Sequence, residues 1–79
     1  MDITLNYNYK NASISVIVED DCITTAKTYI GGEMIDCYDI VKDDGGDVPF
    51  CKANLIKVVN DCKQDIDAMW EENVKKIAE

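Results

Sequence analysis

Near the start of the chain, apolar side chains recur at every second position. In residues 2–10 and 12–19 every second position is apolar, namely Ile3, Leu5, Tyr7 and Tyr9, then Ala12, Ile14, Val16 and Val18. A period of two is typical of a half-buried β-strand. A tight turn at Lys10-Asn11 would pair Tyr9 with Ala12 and place every apolar residue on one face. The pattern therefore predicts a β-hairpin with one buried face.

A second pair of strands is predicted on either side of Gly31-Gly32, because both central positions of a type I′ turn need a positive φ. Residues 22–30 and 33–42, which flank this turn, are rich in β-branched and aromatic side chains. The turn would set Lys27 opposite Asp36. Either face of this hairpin could be buried: one carries Cys22, Thr24, Ala26, Thr28, Ile30, Glu33, Ile35, Cys37, Asp39 and Val41, and the other carries Ile23, Tyr29, Met34, Tyr38 and Ile40.

From Asp47 onward the apolar positions follow a helical period. The predicted stripe contains Leu55, Val59, Cys62, Ile66, Trp70 and Ile77. Asp47 before Pro49 is typical of a helix start, with the aspartate as cap and the proline in the first turn. The sequence thus predicts an α+β fold in a single domain, residues 1–79. Its four-stranded antiparallel meander has strands at about 2–10, 12–19, 22–30 and 33–42, followed by one long or bent C-terminal helix at about 48–78 packed on one sheet face.

The predicted helix is longer than the predicted sheet. Residues 49–78 would span about 45 Å as a helix, whereas eight-residue strands span about 26 Å. The helix must either bend near residues 60–61 or extend past the sheet. An extended helix end would be a candidate contact between two copies of the chain, in which Asn73 could set the register.

The charge of the chain restricts its partners. Sixteen acidic residues against eight lysines give a net charge of −8, and the sequence contains no arginine. Direct binding to nucleic acid or to an anionic membrane is therefore rejected, because both targets are polyanions. The chain shows neither a membrane-spanning apolar run nor a secretory signal, so a cytoplasmic location is expected, in the host cell if the chain is phage-encoded.

No pattern of catalytic or metal-binding residues is visible. The four cysteines form no C-x-x-C pair and the chain has no histidine, which argues against zinc. The acidic loop at residues 43–47 is too crowded for a calcium-binding EF-hand and has the wrong charge for phosphate. Cys51 lacks a partner base, and Asp65/Asp67 do not share a helix face. We expect no enzyme activity, no cofactor and no metal.

The acids are grouped in EDD at 19–21, DDGGD at 43–47 and DIDAMWEE at 65–72. Carboxylates spaced on a small rigid body can imitate a phosphate backbone. In size, acidity, lack of catalytic residues and sheet-plus-helix build, the chain resembles the small phage-encoded inhibitors of bacterial defence, the anti-CRISPR and DNA-mimic proteins. These inhibitors share no sequence signature, so the resemblance assigns no residue.

Three hypotheses follow from the sequence, of which the last, a small calcium-binding sensor, is disfavoured by the crowded acidic loop at 43–47. In the first, the chain is a non-enzymatic inhibitor that covers the basic nucleic-acid-binding surface of a partner protein. Its candidate partner-binding residues are Asp36, Asp39, Asp43, Asp44, Asp61, Asp65, Asp67, Glu71, Glu72, Tyr29 and Tyr38. In the second, the chain is an assembly protein that forms a homodimer through its C-terminal helix. The candidate oligomer contacts are Ile66, Trp70, Asn73 and Ile77.

Overall fold

Four antiparallel strands lie side by side in chain order and a C-terminal helix crosses one face of their sheet. The structure, a computed structural model, describes the backbone of residues 2–78 and the side chains of residues 2–71. The elements are β1 (Ile3–Tyr9), β2 (Ala12–Glu19), β3 (Cys22–Ile30), β4 (Glu33–Asp39), the short β5 (Val48–Pro49) and α1 (Lys52–Ala78). The predicted α+β meander with a C-terminal helix is confirmed, and β5 adds a minor fifth strand beside β3.

The first hairpin has the predicted register. Tyr9 pairs with Ala12 and Ile3 with Val18, and the pairing is unbroken between them. The turn residues Lys10 and Asn11 have φ of 48° and 64°, the left-handed conformation that a type I′ turn needs. The four apolar residues of β2 on the helix side, Ala12, Ile14, Val16 and Val18, are buried, and those of β1 are half-buried because β1 lies at the edge of the sheet.

A β-bulge in β3 explains why neither predicted face of the second hairpin was uniformly apolar. Ile17 pairs with Thr25, but the next residue, Val18, pairs with Ile23, which leaves Thr24 as the extra residue. A bulge reverses the alternation of side chains along the strand. Ile23 and Ala26 are therefore both buried, although the sequence pattern placed them on opposite faces.

A second bulge changes the pairing between β3 and β4. The Gly31-Gly32 turn forms as predicted, with Ile30 opposite Glu33, but Ile35 is then skipped. Thr28 consequently pairs with Asp36, and Lys27 pairs with Cys37. The predicted Lys27–Asp36 pairing was wrong, because the bulge turns Asp36 to the face on which the helix lies.

The helix begins later than predicted. Pro49 lies in β5 opposite Cys22, and the first helical hydrogen bond runs from the Leu55 N–H to the Cys51 carbonyl at 2.9 Å. The start at about residue 48 and the capping role of Asp47 were therefore wrong. A proline is accepted in β5 because this strand pairs on one side only. The predicted strand 33–42 also ends early, at residue 39, where the chain leaves the sheet.

The core lies between α1 and the two central strands. Its buried apolar residues are Ala12, Ile14, Val16, Val18, Ile23, Ala26, Val58, Val59, Cys62 and Ile66. Ile66 is 0% exposed, so its prediction as an oligomer contact was wrong: it lies where the helix faces the middle of the sheet. Thr28 is the one buried polar residue among those described, and its hydroxyl has no hydrogen-bond partner there.

The helix extends past the sheet and does not break. It runs without interruption for 27 residues, about 40 Å. Trp70 Nε1 donates a hydrogen bond to the Lys10 carbonyl at 3.1 Å, which places Trp70 beside the β1–β2 turn. The backbone from there to residue 78 continues for about 12 Å beyond that turn. The side chains of Asn73 and Ile77 lie outside the described residues.

Candidate functional site

A groove separates β4 from α1. The helix lies over β2 and β3, so the outer part of the sheet at β4 is left uncovered. Two adjoining cavities of about 350 and 420 Å³ form the groove, and they share the side chains of Asp39, Ile40, Val58 and Asp61. We call this feature the acidic groove; its floor is Tyr38, Ile40 and Val58, and its acidic residues are Asp39, Asp43, Asp61 and Asp65.

Most carboxylates of the acidic groove are not neutralised. Lys42 and Lys57 also line it. However, the only ion pair with nitrogen and oxygen within 4.0 Å among the described residues joins Lys10 to Asp67, on the other side of the helix. Unpaired carboxylates on one surface produce a negative potential that attracts cationic groups. The groove is therefore suited to a basic ligand.

Asp65 is already engaged within the chain. The Tyr38 hydroxyl donates a hydrogen bond to Asp65 Oδ2 and so ties β4 to the helix. This bond, together with partial burial and the nearby Asp65 charge, raises the pKa of Tyr38 far above its ordinary value. Both residues were predicted to bind a partner, but the structure brings them together in a contact between β4 and the helix.

Asp67 is engaged on the opposite side of the helix. It accepts hydrogen bonds from the Tyr9 hydroxyl at 2.9 and 3.1 Å and from Lys10 Nζ at 2.5 Å. The lysine and the tyrosine lower the pKa of Asp67, and the aspartate in turn raises the pKa of Lys10. Asp67 thus ties the helix to β1 and lies apart from the groove.

The other predicted partner-binding residues are dispersed. Asp44 accepts a hydrogen bond from the Gly46 N–H at 2.8 Å and so helps to fold the 42–46 turn. Asp36 is half-buried on β4, and Glu71 is exposed on α1. Tyr29 lies on the sheet face opposite the helix, since its neighbours Thr28 and Ile30 point to the helix side. The side chain of Glu72 lies outside the described residues.

Sequence reasoning missed the apolar floor of the groove. Ile40 lies just after β4, where its N–H donates to the Thr24 carbonyl at 3.0 Å. Val58 is buried on α1, one helical turn before Cys62. The available signal was the position of Val58 at the flank of the apolar stripe, on the side of Asp61. Its significance depended on where β4 lies, which the sequence did not reveal.

Two properties of the described residues concern metal binding and thiol chemistry. These residues contain no group of three or more His, Cys, Asp or Glu side chains that could hold a metal ion. Burial raises the pKa of Cys62, an effect that the neighbouring Thr28 hydroxyl offsets only in part, so the reactive thiolate is disfavoured. Within residues 2–78, no helix is long and apolar enough to cross a membrane.

Comparisons with known proteins supply no further constraint on the site. The chain matches no protein-family model, no curated protein and no solved structure. Its function must therefore be inferred from the sequence and from the geometry of the groove.

Proposed function

We propose that the chain is a non-enzymatic inhibitor that docks its acidic groove on the basic nucleic-acid-binding surface of a partner protein and thereby excludes the nucleic acid. The action resembles that of the anti-CRISPR and DNA-mimic inhibitors and takes place in the cytoplasm. One observation carries the proposal: Asp39, Asp43 and Asp61 lie around a single groove with no lysine within ion-pair distance among the described residues.

The groove would present these carboxylates at little entropic cost. Asp39 ends β4 and Asp61 lies in the middle of α1, so both stand on regular elements. Asp43 belongs to a turn closed by hydrogen bonds between Lys42 and the glycines 45 and 46 at 2.8 Å. A preorganised charged surface loses little freedom on binding and attracts an oppositely charged partner over a distance.

The floor of the groove adds an apolar contact. Ile40 and Val58 lie between the acidic residues. The side chains of lysine and arginine have long aliphatic stems that pack on apolar surface while the charged ends remain hydrated. A basic side chain could therefore place its stem on the floor and its charge beside Asp39 or Asp61. A strongly hydrated metal cation could not use this floor.

The test compares charge removal at the groove with charge removal elsewhere. In the variant Asp39→Asn/Asp43→Asn/Asp61→Asn, we expect capture of a nucleic-acid-binding protein from bacterial lysate to fall at least about tenfold. The wild-type chain should also displace a labelled DNA duplex from the captured protein in a gel-shift assay, and the variant should not.

The matched control removes the same charge away from the groove. Asp2→Asn/Glu33→Gln/Glu71→Gln changes exposed residues outside the groove. Glu33 and Glu71 lie toward the opposite end of the strands, and Asp2 precedes β1 at the other edge of the sheet. This variant should bind the partner as the wild type does if the groove is the site. Equal loss in both variants would mean that net charge alone governs capture and would contradict the proposal. Binding that does not weaken from low to high salt would contradict it as well.

A second candidate function is assembly through the helix end. Trp70 is 37% exposed although it bonds to the Lys10 carbonyl, and the helix continues beyond it. A large aromatic side chain at such a position is a common anchor for a partner. Under this alternative, Trp70→Ala converts a dimer into a monomer in light scattering, whereas the groove variant leaves the dimer intact.

A further inference from the structure

The outer edge of β1 has none of the features that usually prevent strand pairing. Strand β1 is at the end of the sheet order, so one side of its backbone is unpaired. Its sequence, ITLNYNY, contains no charge and no proline, and its pairing with β2 has no bulge. Folded proteins usually protect an edge strand with charge, proline, a bulge or a covering segment. An unprotected edge is a template for another strand.

The turn at Lys10-Asn11 determines which backbone groups are free. In a two-residue hairpin the residues that flank the turn form a hydrogen-bonded pair, here Tyr9 and Ala12. Hydrogen-bonded and non-hydrogen-bonded pairs then alternate along an antiparallel ladder. The backbone groups that point to β2 are therefore those of Ile3, Leu5, Tyr7 and Tyr9. The outward N–H and C=O groups are those of Thr4, Asn6 and Asn8.

These outward groups match those of a second β1 related by a two-fold axis. With Asn6 opposite Asn6 of the second copy, Thr4 lies opposite Asn8, and all three pairs can exchange hydrogen bonds, about six in total. The same register sets Ile3 opposite Tyr9 and Leu5 opposite Tyr7 on the helix side. Apolar side chains thus meet apolar side chains, and the amide and hydroxyl side chains meet on the open face.

We propose that two copies of this chain associate through their β1 edges in an antiparallel pair, which joins the two sheets into one continuous sheet. The two-fold axis passes between the two Asn6 residues. Both helices then lie on the same face of the joined sheet. This interface does not depend on the proposed inhibitor function, because β1 and the acidic groove are at opposite edges of the sheet.

Charge favours β1 over β4 as the self-association edge. Strand β4 carries Glu33, Asp36 and Asp39 and has the bulge at Ile35, so two copies of β4 would bring like charges together. In the β1 register, Asp2 of one copy lies opposite Lys10 of the other beyond each strand end, and these charges are opposite. Charge therefore favours self-association through β1 and opposes it through β4.

The first test removes a single outward N–H. In Asn6→Pro the lost donor is one that β2 does not use, so the monomer keeps its own ladder. Sedimentation equilibrium should show a dimer for the wild type and a dissociation constant raised at least about tenfold for the variant. Asn6→Lys, which brings two cations together at the axis, should have the same effect. Thr25→Lys, on the same sheet face but in β3, should leave the dimer intact.

The second test determines the register of the two paired β1 strands by disulfide cross-linking. In a background with the exposed thiols removed (Cys37→Ser/Cys51→Ser), Asn6→Cys should give a disulfide-linked dimer in oxidised glutathione. The Cα separation expected across the axis is about 5.5 Å, within the range for a disulfide. Asn8→Cys is the matched control. In the proposed register two copies of residue 8 are offset by about 13 Å along the strands and should not be linked.

The outcomes separate this interface from the alternatives. A wild-type chain that stays monomeric up to millimolar concentration overturns the proposal. A dimer that survives Asn6→Pro and Asn6→Lys but is lost in Trp70→Ala places the contact at the helix end and also overturns it. Because each copy carries a net charge of −8, added salt should strengthen the β1 dimer. Salt should weaken binding of a basic partner, so the failure of one proposal is distinguishable from the failure of the other.

Discussion

The two edges of the sheet differ in almost every property that governs association. β1 is a regular strand without charged residues, and its apolar side chains are half-buried beside the core. β4 has a bulge and three acidic residues, and the acidic 43–47 loop follows it. The helix is tied to both edges by aspartates two residues apart, through Tyr9 to Asp67 and through Tyr38 to Asp65.

Under the two proposals, this difference keeps two kinds of contact at separate edges of the sheet. Backbone pairing at β1 requires a close approach and is blocked by like charge. Charge recognition at the β4 side needs unpaired carboxylates and is weakened by nearby lysines. The β1 strand carries no charge, and the carboxylates at β4 are unpaired although Lys42 and Lys57 also line the groove. The following substitutions test how far the two sides are independent, from the largest expected effect to the smallest.

Ile66→Ala should weaken the packing of the helix on the sheet and so destabilise the β1 side and the β4 side together. Ile66 is fully buried between Asp65 and Asp67, and truncating a buried isoleucine costs about 2–5 kcal/mol through lost burial and the cavity left behind. Ile56→Ala, at an exposed position on the same helix, should change the unfolding free energy by less than about 0.5 kcal/mol. Urea unfolding at one fixed protein concentration measures both. A small loss at Ile66 would mean that the helix is not held by this contact.

Thr28→Val should stabilise the β4 side. The Thr28 hydroxyl is buried and has no hydrogen-bond partner among the described residues, although it lies near the Cys62 thiol. Replacing the unpaired hydroxyl by a methyl group of similar size should raise the unfolding free energy by about 1 kcal/mol. The control is Thr25→Val on the open face. A destabilised Thr28→Val protein would show that the hydroxyl has a partner in solution.

Tyr38→Phe should weaken the tie between β4 and the helix by about 1 kcal/mol or less, because the pair is partly exposed to solvent. The raised pKa of Tyr38 means that its contribution is complete below pH 10.0, its ordinary pKa, and is lost as the pH rises through the folded value. Stability should therefore fall less steeply at alkaline pH in Tyr38→Phe than in the wild type. Tyr29→Phe, which removes a tyrosine hydroxyl on the open face away from Asp65, is the matched control.

Asp67→Asn should produce the smallest change in stability, and this change should appear at acidic pH. The lowered pKa of Asp67 gives stability that is present above its ordinary value of 3.8 and is lost as the pH falls through the folded value. The melting temperature of the wild type should therefore fall more steeply below about pH 4 than that of the variant. Asp61→Asn, at an exposed carboxylate, is the control. Parallel acid slopes in Asp67→Asn and wild type would show that the bond to Lys10 contributes nothing.

The β1 side was predictable from the sequence in more detail than the β4 side. Apolar residues at every second position and a two-residue turn determine the register of β1 and β2, because a slip by one residue would move this apolar set to the open face. The pairing of Tyr9 with Ala12 followed directly from this pattern. The Gly31-Gly32 turn was equally clear, since both glycines adopt the positive φ that the turn requires.

The β4 side could not be predicted because its geometry depends on two bulges with no sequence signal. The skipped residues, Thr24 and Ile35, are β-branched residues that are ordinary in strands. Their bulges decide that Asp36 faces the helix and Lys27 does not. The helix start was missed for a similar reason: Pro49 suits both a first helical turn and a strand paired on one side, and only the contact with β3 favours the strand.

The two-residue turns between the first three strands have a consequence for how the chain folds. Each of the pairings β1–β2 and β2–β3 joins neighbours in sequence through a turn whose residues already occupy the left-handed conformation. Such local pairing closes small loops, and hairpins of this kind form in about 1–10 μs. The three-stranded sheet can therefore assemble before the helix arrives, so that docking of α1 is expected to be the step that completes folding.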